Sequence, residues 1–135
     1  MIITLIAICS AIVCLSIATI RANAIPATAV TLTATDGSQT ILTTAVDTGT
    51  YSWDPETATL TLNGYSGRTI TTTGDINLHL VGTNTLTLDN TLMYYTAYGI
   101  NLNYNSVRIS ADDGGVLNIN GSGLKTIFSA ISGVL

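Results

Sequence analysis

Cysteine, charged residues and aromatic residues are all scarce in this chain of 135 residues. Both cysteines, Cys9 and Cys14, lie in an apolar N-terminal stretch, and the chain has a single histidine, His79. Charged residues make up only 9% of the sequence and aromatic residues 6%. Once that stretch is removed, no disulfide, cysteine nucleophile or cysteine metal site can form, so stability must come from burial and backbone pairing.

Residues 1–24 have the pattern of an export signal. No residue from Met1 to Ile20 is charged, and Ala22-Asn23-Ala24 fits the small-x-small pattern of a signal-peptidase site. We therefore expect a hydrophobic signal helix that is cleaved after Ala24. The alternative is an uncleaved membrane anchor over residues 1–20, because about 20 apolar residues can span a bilayer. Either reading predicts a secreted or cell-surface protein.

The chain beyond the leader is acidic. Three basic residues, Arg68, Arg108 and Lys125, stand against eight carboxylates, which gives a net charge of −5. Because such a surface repels phosphate backbones, nucleic acid is not an expected partner.

After the leader, short runs alternate polar and apolar residues. Examples are VTLTA (30–34), ATLTL (58–62), INLHL (76–80) and NTLTL (84–88), separated by turn signals such as Asn63-Gly64 and Asp113-Gly114-Gly115. Threonine, valine, isoleucine and leucine dominate the runs, as is typical of strands. The pattern predicts an all-β fold, with one or two strands around the Asp36-Gly37 turn in residues 25–48.

A repeat indicates how the strands are arranged. A shift of 31 residues carries GDINLHLVGTNTLTL (74–88) onto SVRISADDGGVLNI (106–119). It carries Ile76 to Val107, Leu78 to Ile109, Leu86 to Leu117, Leu88 to Ile119 and Gly99 to Ala130. Apolar positions that return at a fixed offset predict a β-solenoid (parallel β-helix), in which successive coils stack.

This repeat divides the chain into three parts. Residues 1–24 are the leader, 25–68 an N-terminal cap with a first divergent coil, and 69–135 the coils with the 31-residue period. The sequence thus predicts a solenoid fragment of about two coils, because it stops shortly after another coil would begin. We expect either a longer parent chain or an end that pairs with another chain.

Several motifs resemble a known family. YSWDPETATLTLNGYSG (51–67), GDINLHLVGTNTLTL (74–88) and YGINL (98–102) are similar to bacterial secreted or surface β-helix domains labelled carbohydrate-binding. The resemblance covers about residues 51–120. It implies a right-handed β-helix and supplies no catalytic residues. DNTLMYYTAYG (89–99) departs from the family pattern, since it is longer and more aromatic than the short link expected there.

The tyrosines are the candidate ligand-binding residues. Tyr94, Tyr95, Tyr98 and Tyr104 fall within one part of a coil. Exposed phenol rings can stack on sugar rings, and their hydroxyls can add hydrogen bonds. The alternative is that these rings pack against the wall or cover a loop. No cofactor or metal site is expected, because Asp112-Asp113 forms an ordinary turn motif without a calcium-binding repeat.

His79 is the obvious candidate for catalysis, and the sequence argues against it. Alternation turns His79 outward, and the 31-residue shift places Ser110 beside it. A serine hydrolase also needs a carboxylate to orient the imidazole. Asp75 lies four residues away along the strand, roughly 13 Å, and no two acids align as a glycosidase pair. We expect no catalytic residues and an exposed surface histidine.

These observations together predict an exported, non-enzymatic β-solenoid module of an adhesin-like or glycan-binding surface protein. Its expected partner is a glycan or another cell-surface molecule. One alternative is part of a β-helix polysaccharide lyase or hydrolase whose catalytic residues lie outside this sequence. The other is a purely structural spacer.

Overall fold

The computed structural model describes residues 25–88 and 99–121, and this part of the chain is all-β, as predicted. Its strands are β1 (Val30–Thr33), β2 (Gln39–Leu42), β3 (Val46–Asp47), β4 (Tyr51–Asp54), β5 (Thr59–Asn63), β6 (Ser66–Gly67), β7 (Thr69–Thr72), β8 (Ile76–Val81), β9 (Thr83–Thr87), β10 (Ile100–Asn101), β11 (Val107–Ala111) and β12 (Val116–Asn120). Since β1 and β2 flank the Asp36-Gly37 turn, the strands expected in residues 25–48 are confirmed.

The strands form three sheets. The first sheet has the order β10-β7-β1-β2, the second β11-β8-β5-β4-β3 and the third β12-β9-β6. From β5 onward the chain visits the second, third and first sheets in turn, and it repeats that cycle through β12. Pairing between successive visits is parallel throughout, in β5–β8–β11, β6–β9–β12 and β7–β10. Antiparallel pairs join only the earlier strands β1 to β4 to this arrangement.

The predicted 31-residue offset is correct for one strand pair and wrong for the next. Ile76 pairs with Val107 and Leu78 with Ile109, as the shift requires. Leu86, however, pairs with Ile119 instead of Leu117, an offset of 33. The reason is the corner at residues 112–115, which has two more residues than the corresponding Val81-Gly82 corner. The expected match between Gly99 and Ala130 lies outside the described residues.

The offset is also not constant along the chain. Leu60 on β5 pairs with Leu78 on β8, which is 18 residues later, and Ser66 on β6 pairs with Thr85 on β9, 19 residues later. The larger offset first appears between β7 and β10, where Ile70 pairs with Ile100. Most of the difference therefore comes from extra chain between β9 and β10. The 31-residue spacing is a shorter repeat with an insertion.

The core lies where the inward faces of the three sheets meet. The burial of β8 alternates along its length, with Ile76, Leu78 and Leu80 buried and the residues between them half-buried. Leu60 and Leu86 are also fully buried, and Trp53 is 2% exposed. The half-buried Val107, Leu117 and Ile119 extend the same apolar set onto β11 and β12. Apolar residues are therefore stacked on apolar residues from strand to strand.

Asn84 is a buried polar residue at the corner between β8 and β9. Its side chain is fully buried, and its Oδ1 accepts a hydrogen bond from the Tyr65 backbone N–H at 2.8 Å. Its Nδ2 lies 3.2 Å from the Val81 carbonyl oxygen and 3.3 Å from the Val116 carbonyl oxygen. One amide thus joins the corners of three successive strands of the third sheet and satisfies backbone groups that would otherwise be buried without partners.

The stacked core predicts a large difference between two neighbouring positions of β9. Leu86→Ala should destabilise the protein by about 2–5 kcal/mol, because it leaves a cavity between Gly67 and Ile119. Thr87→Ala, at an exposed position of the same strand, should change the free energy of unfolding by about 0.5 kcal/mol or less. Guanidinium unfolding of both variants measures the difference, and equal effects would contradict the inward orientation of Leu86.

Asn84 generates a second prediction. Asn84→Ala should cost about 1–3 kcal/mol, because it leaves the Tyr65 N–H without its acceptor. Amide hydrogen exchange at Tyr65 should then accelerate more than exchange in the middle of β5. Asn118→Ala is the matched control, since Asn118 is an exposed asparagine on β12. Unchanged protection of the Tyr65 amide in Asn84→Ala would contradict this role.

Candidate functional site

Tyr104 is the only one of the four predicted ligand-binding tyrosines within the described residues, and it is strongly exposed. Its side chain is 83% accessible in the turn that follows β10. Tyr94, Tyr95 and Tyr98 lie outside the described residues. The prediction that a phenol ring is available to a ligand can therefore be examined at Tyr104.

The backbone at Tyr104 adopts a conformation that a bulky residue rarely takes. Its φ is +69°, and that of the preceding Asn103 is +47°. In this left-handed region the Cβ crowds the following carbonyl oxygen, at a cost of roughly 1–2 kcal/mol per residue. Asparagine tolerates the region comparatively well, whereas tyrosine does not. The turn therefore keeps an exposed aromatic residue at a position that glycine would occupy with less strain.

Three asparagines hold this turn. The Asn101 side chain accepts a hydrogen bond from the Asn103 backbone N–H at 3.2 Å, and Asn103 Nδ2 donates to the Thr72 carbonyl oxygen at 3.1 Å. Asn105 Nδ2 donates to the Leu102 carbonyl oxygen at 2.7 Å. This frame fixes the backbone on which Tyr104 is displayed. Sequence reasoning missed it, although alternate asparagines at 101, 103 and 105 were a signal for a turn stabilised by side chains.

A second group of polar residues lies on the outer face of the second sheet. Ser52, Thr61, His79 and Ser110 are paired in register across β4, β5, β8 and β11. Their inward-facing neighbours Trp53 and Leu78 are buried. His79 therefore faces outward beside Ser110, as the alternation predicted.

The expectation that His79 has no orienting carboxylate is wrong. His79 Nε2 lies 3.2 Å from Asp112 Oδ1, and His79 Nδ1 lies 3.0 Å from Ser110 Oγ. In the neutral imidazole, one tautomer satisfies both contacts: Nε2–H donates to Asp112 and Nδ1 accepts the Ser110 hydroxyl. A serine, a histidine and an aspartate are thus linked by hydrogen bonds on an open face, where the His79 side chain is 31% exposed and that of Asp112 60%.

The longer corner explains why Asp112 lies next to His79. The Asp112 N–H donates to the Leu80 carbonyl oxygen at 3.0 Å, and the Gly115 N–H turns back to the Asp112 carbonyl oxygen at 2.8 Å. A Cβ at Gly115 would collide with the Leu80 carbonyl oxygen, so only glycine allows this close approach. The missed signal was the spacing of Ser110 and Asp112, because residues two apart on a strand share a face.

Other carboxylates are engaged in local structure. Hydrogen bonds from the Ser38 side chain and backbone lower the pKa of Asp36, and the Thr57 hydroxyl and Glu56 N–H lower that of Asp54. Asp75 Oδ1 accepts the Ser106 N–H at 2.6 Å. Within residues 25–88 and 99–121, no three histidine, cysteine, aspartate or glutamate side chains gather as a metal site.

Comparison with known proteins adds no name to this arrangement: no family model, no curated protein and no solved structure matches the chain. In the described part of the chain, no helix is long and apolar enough to cross a membrane.

The strained turn predicts an inverted order of stability at Tyr104. Tyr104→Gly should be more stable than Tyr104→Ala by about 1 kcal/mol, because glycine adopts positive φ without a steric cost. Thr87, an exposed position within β9, should give the opposite order when the same two substitutions are made. Chemical unfolding of the four variants checks this. Equal stability of the two Tyr104 variants would contradict the left-handed backbone.

Proposed function

We propose that the protein is an exported β-solenoid module that displays a glycan-binding surface outside the cell. The observation that carries the solenoid proposal is the cyclic order of the strands, which visit the second, third and first sheets repeatedly with parallel pairing at each return. A chain that winds in this way stacks coil on coil. The right-handed sense follows only from the family resemblance and belongs to the proposal.

The export proposal rests on the sequence of residues 1–24, with its uncharged apolar run and its small-x-small site. A module outside the cell must hold its shape without cofactors and, in this chain, without disulfides beyond the leader. Parallel pairing of successive strands together with the buried stacks of β5, β8 and β9 offers that rigidity. The role proposed for the wall is to hold its loops away from the cell surface.

The glycan proposal is supported by Tyr104. An exposed phenol ring on a turn fixed by three asparagines offers a flat apolar surface with a hydroxyl at its edge, which suits the apolar faces and hydroxyls of sugars. Backbone strain retained at an exposed residue is a common property of binding sites. Tyr94, Tyr95 and Tyr98 remain candidate partners of Tyr104. The module is proposed to bind glycans without turnover, as an adhesin-like protein would.

Glycan-array binding tests this proposal. The full chain should bind a subset of glycans. Tyr104→Gly should weaken that binding by about tenfold or more, since losing a stacked ring removes on the order of 1 kcal/mol or more. Tyr104→Phe, which keeps the ring, should retain most of the affinity. The double change Tyr94→Ala and Tyr95→Ala tests the other tyrosines in the same assay.

The comparison with glycine is informative because Tyr104→Gly is expected to be no less stable than Tyr104→Ala. Loss of binding in both variants with intact unfolding curves would support a direct contact. A wild-type chain that binds no glycan on the array would favour the spacer function instead.

A further inference from the structure

The Ser110–His79–Asp112 cluster has the connectivity of a nucleophilic serine site. A serine hydroxyl becomes a useful nucleophile when an adjacent base accepts its proton and a third group orients the base. His79 Nδ1 is 3.0 Å from Ser110 Oγ and His79 Nε2 is 3.2 Å from Asp112 Oδ1. Both distances fall within or at the edge of hydrogen-bond range, and both ring nitrogens are occupied. The serine contacts Nδ1 and the aspartate contacts Nε2, so the imidazole has a base on one side and an anchor on the other.

The backbone holds the three groups independently of their side-chain contacts. His79 and Ser110 are register partners on β8 and β11, which fixes their separation across the sheet. Asp112 is placed by its N–H bond to the Leu80 carbonyl oxygen and by the tight turn at Gly115. The arrangement is therefore built into the strand pairing and the corner.

We propose that Ser110 is a site of covalent acylation, with His79 as its general base and Asp112 as the residue that positions His79. The cluster lies on an open strand face, so the substrate class is an ester or thioester with a good leaving group, presented on a partner surface or a polymer. The reaction goes beyond the proposed binding function, because its product is one modified chain instead of a catalytic cycle.

The chemistry balances without any further reagent. Ser110 Oγ attacks the carbonyl carbon while its proton passes to His79 Nδ1, and a tetrahedral intermediate forms. The bond from that carbon to the leaving oxygen or sulfur then breaks, and the leaving group takes the proton from Nδ1. An acyl ester on Ser110 remains, and His79 returns to its neutral form. The carboxylate of Asp112 stabilises the imidazolium that exists between the two steps.

The test uses p-nitrophenyl acetate with the full chain, acid quenching and mass spectrometry that locates the acetyl group. Acetylation of Ser110 should be at least tenfold faster than that of Ser38 in the same sample. Ser38 is a stringent internal control, because its Oγ donates to the Asp36 carboxylate at 2.6 Å, and no imidazole is among its hydrogen-bond partners in the described residues. Ser110→Ala should abolish the modification of that peptide.

Two further variants separate the roles of the base and the carboxylate. His79→Ala should slow Ser110 acetylation by about 10²-fold, the lower range for general base catalysis, and added imidazole should restore part of the rate. Asp112→Asn should slow it by about tenfold with the unfolding curve unchanged. Asp113→Asn, which removes the same charge from the same corner, should leave the rate unaltered.

Restoration by imidazole is a response that a purely structural role of His79 would not give. Acetyl groups found on His79 alone, equal labelling of Ser110 and Ser38, or an unchanged rate in His79→Ala would each overturn the proposal.

Discussion

Backbone pairing between successive strands is the constraint on which the rest of the structure depends. Each strand of a wall offers N–H and C=O groups that must find partners, and the next strand of the winding supplies them about 4.8 Å away. Pairing also fixes register, and a slip of one residue would turn Leu78 outward and His79 into the core. The apolar stacks follow from that register. A chain with few charges and no cysteine beyond Cys14 has little else to hold it together.

The corners face a different problem, since the chain must turn there while its polar groups stay satisfied. Between β8 and β9 the side chain of Asn84 bonds to backbone groups of three successive turns. Between β11 and β12 the chain uses more residues and a glycine that approaches the Leu80 carbonyl oxygen. These two solutions differ in length, and the difference moves Asp112 to His79. The chemistry of the outer face is thus a consequence of how a corner was closed.

Alternation of polar and apolar residues was sufficient to predict the all-β class, the inward faces and the outward orientation of His79. The 31-residue shift correctly paired β8 with β11, because both strands have the same apolar spacing. It misplaced β12, since a rigid shift cannot register two residues added within a corner. Asp112 was missed for the same reason: a uniform shift put it over Val81. The positive φ of Tyr104 has no sequence signal of its own, since tyrosine is unfavourable there and only the surrounding asparagine bonds explain it.

The unequal offsets between paired strands have an evolutionary meaning. A single residue, Arg68, joins β6 to β7, whereas residues 88–99 join the equivalent strands β9 and β10. The walls pair in register in both cases. Strand pairing is therefore indifferent to how much chain separates one wall from the next, so a link can gain or lose residues without a compensating change elsewhere. Such a scaffold separates inheritance of shape from variation of surface: lineages can diversify a link while the walls stay the same, and a foreign peptide grafted between β9 and β10 would inherit a ready-made support.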